Sequence, residues 1–152
     1  MEKIILTNMC LIENKKTNEV LVIHRIKDWC GIAFPGGHIE EGEAIVPSVI
    51  REIKEETNLD IYNLEFCGIR DWYDPLAKER NIVFMFKTSS YKGELVETNV
   101  EGKLEWKRLD SIKKEEYASG LDQELGIFFE KDIHEYYSKY DENQKSWILE
   151  KY

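Results

Sequence analysis

The chain has little of what several specialised classes of protein require. Only three cysteines occur in 152 residues, Cys10, Cys30 and Cys67, widely separated and odd in number. That argues against a disulfide framework and a zinc knuckle and leaves free thiols as the simpler reading. No apolar run approaches the roughly 20 residues needed to cross a bilayer. The segment Met1–Cys10 has charges at Glu2 and Lys3 and then a short apolar stretch, without the length or cleavage pattern of a secretion signal. A cytoplasmic protein is expected. Basic residues are outnumbered, 21 against 30 acidic ones, for a formal net charge of −9. This sign opposes bulk nucleic acid and anionic membranes as partners. A metal-chelated nucleotide is a different case, because a bound divalent cation reverses the local field.

Internal repeats, low-complexity tracts and linkers are also missing. With 42% hydrophobic and 12% aromatic residues, the chain can bury one core but not two comfortable ones, which predicts a single domain over residues 1–152. Apolar segments Ile4–Ile12 and Glu19–Arg25, separated by the polar run Asn14–Asn18, read as two strands of an opening hairpin. Trp29–Glu43 follows as a loop, with Pro35, Gly36, Gly37 and Gly42 permitting backbone paths that other residues resist. Pro47–Asn58 reads as a helix with an apolar stripe of Val49, Ile50 and Ile53. Pro47 is tolerated in its first turn, and Asn58 can close it in a left-handed conformation. Ile61–Arg70, Asn81–Ser89 and Lys103–Leu109 read as strands, the middle one apolar enough to be buried on both faces. Leu121–Tyr137 is predicted as a second long helix and Trp147–Tyr152 as a closing extended segment. The interleaving of strands and helices implies a layered α/β-type unit.

On the first helix Glu52, Glu55 and Glu56 stand at i, i+3 and i+4 and project from one side. Like charges at this spacing repel by about 0.2–0.5 kcal/mol per pair, and such a trio is ordinarily a solvated face unless a cation sits on it. The surroundings favour the cation. Gly37 is followed after five residues by Glu43, after seven more by Arg51, and then by Glu52, Ile53, Glu55, Glu56, Asn58 and Leu59. This stretch resembles the signature of the Nudix hydrolases, G-x5-E-x7-R-E-U-x-E-E-x-G-U, where U is a bulky aliphatic residue. One position departs from it: Asn58 stands where the family has Gly, and Asn is the next most tolerant residue at a left-handed helix end. Pro47 inside the seven-residue gap is a second oddity that could delay the helix start. Outside the motif the resemblance is weaker, carried by Phe34-Pro35-Gly36-Gly37 and by Glu101–Trp106.

The resemblance implies an α+β fold, an αβα sandwich with a central mixed β-sheet. It implies Mg²⁺, with Mn²⁺ as the alternative, held by Glu52 and Glu56 with help from Glu55 and the Gly36 carbonyl. Hard divalent cations take oxygen ligands and keep waters, which suits phosphate and an attacking water. Arg51 and Glu43 would tie loop to helix, and the glycine bend of Gly36 and Gly37 would approach the substrate. A later glutamate would accept the proton of the water: Glu101 first, with Glu97 and Glu105 as rivals. Arg25 would reach the substrate phosphates, unless it is only a surface ion pair, while His24 would point to the other face of its strand. Trp29, Trp72 and Tyr73, placed in predicted loops, are candidates for stacking on a base or for the core. Asp122 would either bond a purine edge or cap the second helix.

The activity implied is cleavage of a nucleoside triphosphate to a monophosphate and pyrophosphate, with oxidised purines such as 8-oxo-dGTP favoured. Nucleotide sugars, dinucleotide polyphosphates and capped RNA ends belong to the same chemistry. The different-class rival is a non-catalytic module that binds nucleotide and regulates a partner. A small-molecule nucleotide is the expected partner, and both monomer and homodimer are compatible with the sequence.

Overall fold

The computed structural model describes residues 1–152. Twelve strands and two α-helices follow the order β1 (Lys3–Asn14), β2 (Glu19–Arg25), β3 (Gly31–Ala33), β4 (Gly36–His38), α1 (Ile45–Thr57), β5 (Asp60–Tyr62), β6 (Glu65–Asp74), β7 (Glu79–Thr88), β8 (Ser90–Lys92), β9 (Thr98–Asn99), β10 (Gly102–Lys107), α2 (Leu121–Glu124), β11 (Glu135–Asp141) and β12 (Ser146–Lys151). Ten strands form a mixed sheet, and β5 pairs with β8 alone.

The opening hairpin is present but short. Its arms pair only at Glu13↔Val20 and Asn14↔Glu19. Beyond that point β1 turns to β7, beside which it runs parallel from Lys3↔Glu79 to Ile12↔Thr88. β2 instead pairs with β10 and β3. The sheet therefore splits into two leaves hinged at the hairpin. The side of β1 that β2 leaves open is taken by β4, in register Thr7↔His38, Asn8↔Gly37 and Met9↔Gly36. That pairing carries the glycine bend to the middle of the fold. The stretch expected as a plain loop thus contains two short strands, formed because its backbone groups find partners on β1 and β2.

Helix α1 begins at Ile45, so Pro47 sits at its third position, where an amide has no intrahelical acceptor, and no delay results. Asn58 ends it at φ 67°, its N–H bonded to the Lys54 carbonyl. The buried face is Ser48, Val49, Ile53 and Thr57. Ile50, expected in that stripe, is 36% exposed. Both buried hydroxyls are satisfied locally: Ser48 Oγ donates to the Ile45 carbonyl and Thr57 Oγ1 to that of Ile53.

Three further expectations change. The segment Ile61–Arg70 breaks at Asn63, which has φ 52°, into β5 and β6. On β7, Val83, Met85 and Phe86 are buried while Ile82 and Phe84 are only half-buried, so one face is less covered than predicted. The long helix over Leu121–Tyr137 is absent. α2 is one turn, followed by a 3-10 turn at Leu125–Phe128, and Tyr136 and Tyr137 lie in β11. Here β11 pairs parallel with β6, from Glu135↔Ile69 to Ser138↔Trp72. Aromatic residues are at home in a sheet, and that long-range pairing overrides the local helical pattern.

Candidate active site

The glycine bend and α1 are joined by close packing. Gly36 donates its N–H to Glu56 Oε2 at 3.0 Å, and Gly37 donates to Asn8 Oδ1 at 3.2 Å. A Cβ at Gly36 would strike the Asn8 carbonyl, so glycine is required there, and one at Gly37 would displace the Glu52 carboxyl. Asn8 is buried and also donates from Nδ2 to Ser48 Oγ at 3.0 Å. It fastens β1 to both bend and helix. Sequence reasoning missed it, although a lone amide inside an apolar strand was a signal.

Arg51 organises the helical charges. It grips Glu43 through two bonds, Nε to Oε2 at 2.6 Å and Nη2 to Oε1 at 2.9 Å. It also reaches Glu52 at 2.9 Å, Glu55 at 3.2 Å and the His38 carbonyl at 3.0 Å. The bond to Arg51 is the largest influence holding the Glu43 carboxyl below its ordinary range. Glu52 is well covered, its side chain 16% exposed, whereas that of Glu55 is 59% exposed. No three acidic side chains converge into a ready-made cage. Glu52 and Glu55 lean on Arg51 while Glu56 turns toward the glycine bend, so binding one ion with all three would require the first two to swing off the arginine.

Glu56 has a different environment. Burial first, and then the neighbouring Glu101 carboxylate, push its pKa up, partly opposed by the Gly36 N–H. Glu101 also lies 3.7 Å from Arg25 Nη1, and Arg25 Nε donates to the Asp28 carbonyl at 3.3 Å. Asn99 fixes the loop carrying Glu101. Its Oδ1 accepts the N–H groups of Glu101 and Gly102 at 2.8 and 3.2 Å, and its Nδ2 donates to the Glu56 carbonyl at 3.0 Å. Nothing in the local sequence flagged Asn99, because its partner is 43 residues away. Of the rival glutamates, Glu105 pairs with His24 at 3.1 Å and lies near Lys103 and Lys107, and Glu97 is exposed on the surface.

The remaining candidates separate. Trp29 is 69% exposed, on a loop residue with φ 48°. Trp72 and Tyr73 lie on β6 and not in loops. Asp122 makes no capping bond: the N-cap of α2 is Gly120 at φ 81°, and Asp122 lies 3.9 Å from Lys114. The donor set around Glu56 fits a hard cation. Glu56 and Glu101 crowd together, and the glycine bend packs directly against Glu56 and Glu52, which brings backbone oxygens close to the same carboxylates.

A two-leaved mixed sheet that seats a glycine bend, with a carboxylate helix clamped by an arginine and facing a separate glutamate loop, is the framework of the nucleotide pyrophosphohydrolases. The chain belongs to the Nudix family: the NUDIX domain model matches residues 5–138. Members of this family act on phosphoanhydride bonds and generally use divalent metal ions. The chain is 34% identical over 107 residues to the Bacillus subtilis Nudix hydrolase YvcI, an alignment covering 68% of this chain and 66% of YvcI. It is 31% identical over 78 residues to the NAD-capped RNA hydrolase NudC of Pseudomonas aeruginosa, covering 50% of this chain and 26% of NudC. The crystal structure of a MutT protein from Bacillus halodurans superposes with a TM-score of 0.76 at 26% identity, covering 96% of this chain and 97% of the other. A Burkholderia pseudomallei MutT Nudix hydrolase shares the fold, with a TM-score of 0.70 at 18% identity, covering 83% and 97%. No helix is long and apolar enough to cross a membrane.

Proposed function

We propose that this chain hydrolyses a nucleoside triphosphate to the monophosphate and pyrophosphate with Mg²⁺, oxidised purine nucleotides such as 8-oxo-dGTP being the favoured substrates. The observation that carries the reading is the contact between Glu56 on α1 and Glu101 on a separate loop, with Arg25 behind Glu101. Two acids from distant segments are held together at a cost in repulsion, and such an arrangement persists where positive charge and substrate use it. The likeness to the Bacillus halodurans MutT protein over nearly the whole chain supports the same reading. So does a 53-residue stretch 40% identical to Bacillus subtilis YtkD, provisionally named an 8-oxo-dGTP diphosphatase, though it covers only 35% of this chain and 32% of that one.

Glu52 and Glu56, with Glu55 at the rim and the Gly36 carbonyl opposite, would hold the cation. When bound, it supplies charge neutralisation on the phosphate oxygens. Arg25 presents a fork-shaped guanidinium to the same oxygens. Glu101 accepts the proton of the attacking water, and Asn99 keeps that carboxylate aimed. Arg51 and Glu43 keep α1 in register with the bend, so the ligands start from defined positions.

The test is phosphate accounting on a panel of 8-oxo-dGTP, dGTP, dATP, a nucleotide sugar and a dinucleotide polyphosphate. Pyrophosphate released from the triphosphates, fastest with 8-oxo-dGTP, is the expected result. Turnover confined to the nucleotide sugar or the dinucleotide would overturn the triphosphate assignment. No turnover of any member would favour a nucleotide-binding module.

A further inference from the structure

Across the sheet from the glycine bend lies an arginine that the carboxylate cluster does not use. Thr7, Val83, Arg70 and Tyr136 are successive cross-strand neighbours on β1, β7, β6 and β11, and Thr7 is also opposite His38, the residue after Gly37. Paired positions share a sheet face. Arg70 therefore stands in a row that begins at the bend and reaches it three strand spacings away, about 14 Å.

The segment leading to α2 crosses this same part of the molecule. Ala118 donates its N–H to the Ile32 carbonyl at 2.9 Å, which ties the segment to β3, the strand that runs into Gly36. Six residues on, Glu124 pairs with Nε of Arg70, their side chains only 9% and 13% exposed. The guanidinium carbon lies 5.6 Å from the centre of the Trp72 ring, two residues along the same face. Glu124 meets the guanidinium at Nε. The terminal nitrogens form no hydrogen bond within the protein and, unlike Nε, are not sealed from solvent, so they stay open to an acceptor that enters from this side. An acceptor placed there completes a cation whose side chain is otherwise only 13% exposed.

We propose that Arg70 is a specificity-determining residue that reads the nucleoside end of the substrate, its free Nη donors bonding the O6 carbonyl of a 6-oxopurine. This deepens the proposed function and rests on its nucleotide substrate. The phosphates are accounted for at the bend and Arg25, so the group that spans the distance to Arg70 is the base. Guanidinium offers donors and no acceptor. It matches the carbonyl of guanine or hypoxanthine, oxidised at C8 or not, as it matches O6 of guanine elsewhere. Adenine presents an amino group there, so donor would face donor and both would stay unpaired.

Titration calorimetry with GMP, IMP and AMP in the presence of Mg²⁺ tests this. The wild-type protein is expected to bind GMP and IMP about tenfold more tightly than AMP, and Arg70→Gln to bind all three alike. Glu124→Gln, which leaves the arginine in place, retains the preference. Equal affinities in the wild-type protein would overturn the proposal, and that comparison holds even if Arg70→Gln does not fold. A preference that survives in a folded Arg70→Gln would overturn it too. Because monophosphate binding needs no turnover, absence of pyrophosphate release counts against the triphosphate reading alone, and the GMP–AMP comparison still decides the role of Arg70.

Discussion

Under the proposed function Glu101 and Glu56 face opposite demands, one to accept a proton and the other to hold charge beside it. Glu101→Gln is expected to lower kcat by about 10²–10⁴-fold with KM changed little, the range of a lost general base. Glu97→Gln and Glu105→Gln should stay near the wild-type rate, and steady-state kinetics on the preferred triphosphate distinguishes them. A large loss at Glu105 would move the base to the neighbouring strand. Glu56→Gln should abolish turnover while raising the Tm of the metal-free protein. The folded-state pKa of Glu56 is raised by burial and by Glu101, so its contribution to stability is present at low pH and is lost as pH rises through that raised value. The gain in Tm should therefore be larger at pH 8 than at pH 5, and thermal melts in chelator at the two values check the sign.

Helix α1 depends on its two ends and on one clamp. At the C-terminal end Asn58 holds a left-handed φ of 67° and donates from Nδ2 to the Glu94 carbonyl. Asn58→Ala is expected to cost about 1 kcal/mol, and Asn58→Gly less, because glycine accepts that backbone conformation; urea unfolding of the pair measures the difference. The clamp is the Glu43–Arg51 pair. Its folded-state pKa lies below the ordinary 4.5 of a glutamate, so the stability it adds is present above that value and disappears as pH falls below it. The gap in Tm between wild type and Glu43→Gln should accordingly be open at pH 7 and close through the acid range below pH 4.5. A gap independent of pH would mean that Glu43 acts through packing and not charge.

For the whole molecule, chelation should stop catalysis without unfolding the chain, because the core of 24 buried residues, Val49 and Ile53 of α1 among them, is held by apolar packing that needs no ion. Pyrophosphate release should vanish in EDTA and return with Mg²⁺, while far-ultraviolet circular dichroism stays unchanged. A collapse of the dichroism signal would make the ion structural, as in small metal-dependent domains.

The sequence alone determined the parts whose physics is local. Helical periodicity put Glu52, Glu55 and Glu56 on one side of α1, and the resemblance to the Nudix signature tied Gly37, Glu43 and Arg51 to them. Asn58 as a left-handed helix end followed from its short polar side chain. Tertiary structure decided the rest. Asn8, Asn99, Arg70 and Glu124 meet partners remote in sequence, and no local pattern encodes such meetings. The segment from Leu121 to Tyr137 carried a helical pattern, yet its second half became a strand because β6 offered an unpaired edge, and backbone hydrogen bonds must be satisfied wherever the chain is buried. Glu101 is preferred over its two rivals on the same kind of ground, because its loop is the one that the fold brings against Glu56.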